Sequence, residues 1–147
     1  MSSETSMTEE PVITATEAEA QVTKYAEKVN ESDIKDLSGK EEKIKGFFRH
    51  VAALKPLFAD ACDIFSLFGD RLSGKYTETP WKTIAGLAGA LLYVVSPLDL
   101  LPDYIPLAGF LDDAMVFGFA IKMAKMDLAA YREWRKVNKP EQPKANS

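Results

Sequence analysis

The sequence predicts an all-α protein, a small bundle of four to five helices around a central glycine-faced helical hairpin. Three observations carry this prediction. No stretch alternates apolar and polar residues with the period of a strand. Apolar residues recur at three- and four-residue steps from Ile44 to Leu72, the period of a helix face. Two further apolar segments flank the stretch Ser96 to Asp113, SPLDLLPDYIPLAGFLDD, which holds three prolines, one glycine and four aspartates.

The elements follow in chain order. Residues 1–37 read as a disordered acidic N-terminal tail, rich in Ser, Thr and Glu. A short helix is conceivable within it over 15–29, where the large apolar residues are only Val22, Tyr25 and Val29. Residues 30–39 read as a linker. The helical domain runs over 38–136. Its first helix carries the seam Ile44, Phe47, Val51, Leu54, Phe58, Ala61, Phe65, Phe68 and Leu72, widened by Phe48, Leu57, Ile64 and Leu67. Pro56 lacks a backbone donor, but the seam stays in phase across it, so the expectation is one kinked helix. LSGKYTETP is a loop. A second long helix should run from Trp81 to about Val95. Its TIAGLAGALLYVV carries no charge, and its Gly86 and Gly89 suit close approach of another helix. The last helix should run from about Leu111 to Lys136, with Gly118 facing those glycines. Residues 137–147 should be a disordered C-terminal tail.

Every polar residue of the stretch between the two apolar segments has a structural task available. Ser96 suits an N-cap, Pro97 the first helical position and Asp99 the reciprocal cap. Pro102 stops that turn and Asp103 can cap the next. Pro106 forces an extended Ile105, Gly109 can adopt positive φ, and Asp112 and Asp113 favour the N-terminus of the last helix. The competing reading joins Asp99, Asp103, Asp112 and Asp113 into an oxygen site for Mg²⁺ or Ca²⁺. Their spacing is not that of a calcium-binding loop. No nucleophile, phosphate loop or neighbouring histidine accompanies them, which argues against catalysis.

Composition narrows the function further. The formal charge is −4, spread unevenly. Residues 1–42 hold eleven acids and four bases, a net of −7. No basic block is dense enough to track nucleic-acid phosphates. Cys62 is the single cysteine, so no internal disulfide forms and a reducing compartment, the cytoplasm, is expected. One Cys and one His, His50, do not complete a tetrahedral zinc site. The polar start MSSETSMTEEP does not read as a secretory signal. The apolar run Thr83 to Leu98 spans sixteen residues, short of the roughly 20 needed to cross a bilayer. Trp81 suits either a membrane-interface anchor or a core position.

YVVSPLDLLPDYIPLAGFLDD resembles the signature of the YkvA-like domains of unknown function (family 1232). The resemblance rests on Tyr93, Ser96, Pro97, Asp99, Pro102, Asp103, Ile105, Pro106, Gly109, Phe110, Asp112 and Asp113, with TPWK at Thr79 to Lys82 as the lead-in. It covers about forty residues, roughly 76–116. It implies no agreed biochemical activity, but members are often described as membrane-associated or integral. A related domain occurs in a RING-type ubiquitin ligase of the endoplasmic reticulum.

The function expected is a non-enzymatic helical interaction or scaffold domain, peripheral to or partly inserted in a membrane. It would bind a protein partner or self-associate through its helices, with no cofactor and no nucleic acid. The alternative is a divalent-metal protein using the four aspartates. If Asp99 and Asp112 are caps, Asn should replace them with little loss and Ala should cost about 0.5–2 kcal/mol each in a thermal melt. If they are ligands, Asn should abolish function and leave the melt unchanged.

Overall fold

The computed structural model describes residues 14–98 and 111–138. Over these the protein is all-helical. It has α1 (Ala15–Ala26), α2 (Glu31–Gly39), α3 (Glu41–His50), a 3-10 turn (Lys55–Leu57), α4 (Phe58–Leu72), α5 (Trp81–Leu98), α6 (Leu111–Met123) and α7 (Lys125–Asn138). Seven α-helices are therefore present among the described residues, where four or five were expected. The additional helices are one over the expected linker and two that arise from breaks in longer ones.

The two short helices lie where a tail and a linker were expected. Both start with reciprocal caps. Thr14 N–H donates to Glu17 Oε1 at 2.9 Å, and Glu17 N–H donates to Thr14 Oγ1 at 3.1 Å. Asn30 and Asp33 repeat the arrangement at 2.9 and 3.1 Å. Each box satisfies two backbone donors that a helix start leaves open. Burial then holds the helices in place: Ala18, Val22, Ile34 and Leu37 are all buried. The helices over 15–26 and 31–39 thus pack on the helices that follow, the first of them where a short helix was conceivable.

The breaks also have local causes. The seam does not form one kinked helix. Val51 turns extended, with φ −94° and ψ 119°, five residues before Pro56. The 3-10 turn then takes Pro56 into its opening positions, where a missing N–H does no harm. Val51 and Leu54 remain buried, so the break itself lies in the core and the seam keeps its phase. The last helix parts at Ala124, whose N–H reaches both Ala120 and Ile121 carbonyls, at 3.0 and 3.1 Å. At the other boundary α5 continues through Leu98, so Ser96 and Pro97 lie within α5 and not at a new helix start.

α5 is the centre of the packing. Ile84, Leu87, Ala88, Leu91 and Val94 are fully buried or nearly so. α1 lies across both α5 and α6; α2 also touches α5. Tyr25 meets Tyr93 edge-on at 5.5 Å, and Phe48 of α3 meets Phe117 of α6 at 4.9 Å. The glycine face of α5 does not receive Gly118. A Cβ at Gly89 would stand 2.8 Å from the backbone nitrogen of Ala26, and one at Gly86 would stand 3.9 Å from Val22. A Cβ at Gly118 would meet nothing within 4 Å. The small residues of α5 thus admit α1, a helix with few large apolar residues of its own.

The loop after α4 uses its glycine for conformation. Gly74 has φ +80°, where a side chain would be strained. This lets the N–H groups of Lys75 and Tyr76 turn back to the Asp70 carbonyl, at 2.8 and 3.1 Å.

Gly89→Ala should destabilise the protein by about 1–3 kcal/mol, because the methyl meets backbone and not a movable side chain. Gly118→Ala should stabilise by about 0.5–1 kcal/mol, the helix-propensity gain without a clash. Urea unfolding of the two variants checks this; equal effects would refute the α1–α5 contact.

Candidate functional site

The aspartate-rich stretch joins α5 to α6, and most of it lies outside the described residues. This applies to Asp99, Pro102, Asp103, Pro106 and Gly109. Ser96 and Pro97 belong to the last turn of α5 by their backbone. Asp112 and Asp113 fall in the first turn of α6, where the helix dipole favours an acid. Asp113 is buried. Among the described residues no group of three or more His, Cys, Asp or Glu side chains could hold a metal ion. Of the four aspartates of the cation reading, Asp99 and Asp103 lie outside the described residues and Asp112 is described by its backbone alone.

The opposite end of the α5–α6 hairpin is fully described. There the start of α5 meets the junction of α6 and α7. Thr83 Oγ1 donates to Asp127 Oδ2 at 2.5 Å and ties the two together. Beside this bond a cleft of about 310 Å³ opens between α1, α5 and α6, lined by Val22, Lys82, Gly86, Leu87, Ala120 and Met123. Its floor is apolar and its mouth carries one ammonium. Met123 and Met126 are exposed at 51 % and 81 %. Lys122 and Lys125 alternate with them and are exposed too. Trp81 is exposed at 38 %, with the Arg71 guanidinium 5.3 Å over its ring, so it is neither a plain core residue nor free in solvent.

A third cluster ties α7 to α4, and sequence reasoning missed it. Tyr131 is fully buried and donates to Asp70 Oδ2 at 2.5 Å. Ser66 Oγ lies 2.5 Å from the same phenol oxygen and therefore supplies the donor of that second bond. Burial, then the bond to Asp70, pushes the Tyr131 phenol well above its ordinary range. Tyr76 and Trp134 flank the ring at 5.1 and 5.8 Å. One turn outward, Arg132 bridges Asp60 and Asp63 at 2.9 and 2.7 Å, and Arg135 reaches Asp63 at 2.8 Å. These ion pairs are partly exposed, so each contributes at most about 1 kcal/mol. The signal in the sequence was the spacing Asp60, Asp63 and Asp70 on one helix against Tyr131, Arg132 and Arg135 on another. It could not be read without knowing that α4 and α7 are neighbours.

Cys62 is half-buried, and burial raises its thiol pKa. A thiol in that state is a poor nucleophile. His50 Nδ1 lies 2.8 Å from the Gly46 carbonyl, one turn back on its own helix, a local bond.

The geometry defines a class: a small all-α domain organised on one apolar helical hairpin. The family model described as "Protein of unknown function (DUF1232)" matches residues 83–119, which is this hairpin. A curated relative, the uncharacterized membrane protein YkvA of Bacillus subtilis (strain 168), is 41 % identical over 71 residues, covering 48 % of this chain and 67 % of its own. The chain belongs to this family of YkvA-like proteins. No solved structure matches it. Among the described residues, no helix is long and apolar enough to cross a membrane.

The Tyr131 cluster makes a pH prediction. The folded phenol holds its proton to higher pH than the unfolded one. Its contribution to stability is therefore present below about pH 10 and lost as pH rises beyond. Tyr131→Phe should lower stability by about 1–3 kcal/mol at neutral pH. The gap from wild type should close above pH 10 in thermal melts; a constant gap would refute the assignment.

Proposed function

We propose that the protein is a non-enzymatic helical interaction domain that works peripherally at a membrane surface. One observation carries the reading. The hairpin is the part that matches the family model, and a relative in the family is called a membrane protein, yet here its apolar face is covered by the protein's own helices. Ile84, Leu87, Leu91 and Val94 of α5, with Val116 and Phe117 of α6, are spent on an internal core. Moving them into hydrocarbon would require α1 and α2 to leave. It would also drag the acids after α5 into or through the bilayer, which is costly for unpaired carboxylates. Contact from the outside requires neither.

The polar residues favour an interaction role over a catalytic one. Arg132 and Arg135 are committed to Asp60 and Asp63, and Tyr131 to Asp70. These groups hold two helices together and do not line the cleft beside Lys82. The cleft brings an ammonium and apolar walls, a setting for binding an amphiphile or an apolar side chain.

Cell fractionation of the full chain tests this. The protein should sediment with membranes and be released by a high-salt wash. Retention until detergent is added would show insertion and overturn the peripheral reading. Complete recovery in the soluble fraction would overturn membrane contact altogether.

A further inference from the structure

The outer face of α6 does not match its sequence. The stretch AMVFGFAI is apolar all round, a pattern that belongs to a helix buried on every side. Only Val116, Phe117 and Ala120 of it are fully buried; Met115, Phe119 and Ile121 are half-exposed. Met115, Phe119 and Met123 follow at four-residue steps, and Met126 comes three residues later, so they share one stripe. The stripe crosses the junction in phase, because Ala124 N–H bonds to the Ala120 carbonyl and Leu128 N–H to the Ala124 carbonyl, at 3.0 and 2.8 Å. Exposure grows along it, to 51 % at Met123 and 81 % at Met126. Beside it runs a shallow groove lined by Ala15, Ala18, Met115, Gly118, Phe119 and Lys122.

The charges on this stripe have one sign. Residues 114–126 include Lys122 and Lys125 and no acid. Lys82 reaches the same corner from α5, at the mouth of the cleft that Met123 lines. The nearest acid in the run, Asp127, is turned to Thr83. Glu17, at the start of α1, is engaged in its cap.

We propose that this stripe, centred on Met123 and Met126 with Lys82, Lys122 and Lys125 around it, docks on an anionic lipid surface. The inference rests on the membrane reading above and names the face and the lipid chemistry. Flexible methionines and a phenylalanine can enter the acyl boundary while lysine stems reach back to the headgroups. Anionic headgroups supply the counter-charge that the face lacks. A second copy of the chain fits less well. A two-fold contact through the same patch would set Lys122 and Lys125 against their own equivalents, with no acid in the stripe between them.

The test is flotation of the full chain with vesicles of phosphatidylcholine alone and of phosphatidylcholine with phosphatidylglycerol. The wild type should float only with the anionic vesicles and be released by high salt. Lys122→Gln with Lys125→Gln, and separately Met123→Ser with Met126→Ser, should each weaken binding by about tenfold or more. All four side chains are exposed, so the thermal melts should stay at the wild-type value. If the wild type floats and both double variants float equally well, the face is wrong and the membrane reading stands. If the wild type floats with no vesicle, both fall. If floating is insensitive to phosphatidylglycerol, the anionic part is overturned. If the variants convert a dimer to a monomer in sedimentation and keep wild-type flotation, the stripe is a self-contact and the proposal fails.

Discussion

The fold depends on how closely α1 approaches α5. The backbone of Ala26 stands where a side chain on residue 89 would be, at 2.8 Å from an added Cβ. Only glycine permits that distance, and a glycine in a helix costs about 1 kcal/mol relative to alanine. The close approach offsets the cost by letting Val22, Ala18 and Tyr25 reach the apolar groove of the hairpin. Without α1, the inner surface of α5 and α6 would be open to water along its length. The hairpin that defines the family is in this chain therefore completed by a helix outside the residues matched to the family.

A second consequence concerns charge. The α5–α6 hairpin has an acidic end and a basic end, set by the chain direction. Asp112 and Asp113 begin α6, and Lys122 and Lys125 stand at its close and at the start of α7. The acids at the start of α6 and Lys122 in its last turn agree with the helix dipole, which favours acids at the start and bases at the finish; Lys125, at the start of α7, does not. A set of ion pairs clamps α4 to α7, where Asp60 and Asp63 meet Arg132 and Arg135. The same two helices are joined by the buried Tyr131–Asp70 bond. These polar residues of the described core are thus used to position helices.

Much of this was legible in the residues. The absence of a strand period, the seam from Ile44 onward and the charge-free run after Lys82 all point to helices, and helices form there. The family signature from Tyr93 to Asp113 was legible because fixed prolines and acids at set spacing rarely coincide by chance. The short helices were less visible for a physical reason. α1 and α2 carry few large apolar residues, and their start signals, Thr14 with Glu17 and Asn30 with Asp33, look like ordinary polar loop until the reciprocal bonds are drawn. The break before Pro56 was read as a kink because a buried turn keeps the apolar phase that a continuous helix would show.

The sequence alone determined the helical class and the two apolar helices of the hairpin, because helix period is a local property. Tertiary structure decided which helix fills the glycine face, since any helix with small residues satisfies the same spacing and only the folded chain chooses α1 over Gly118. It also decided that Asp60, Asp63 and Asp70 serve α7, and that Met123 and Met126 are left outside. Side-chain partners about 60 or 70 residues apart are fixed by packing, which no local pattern encodes.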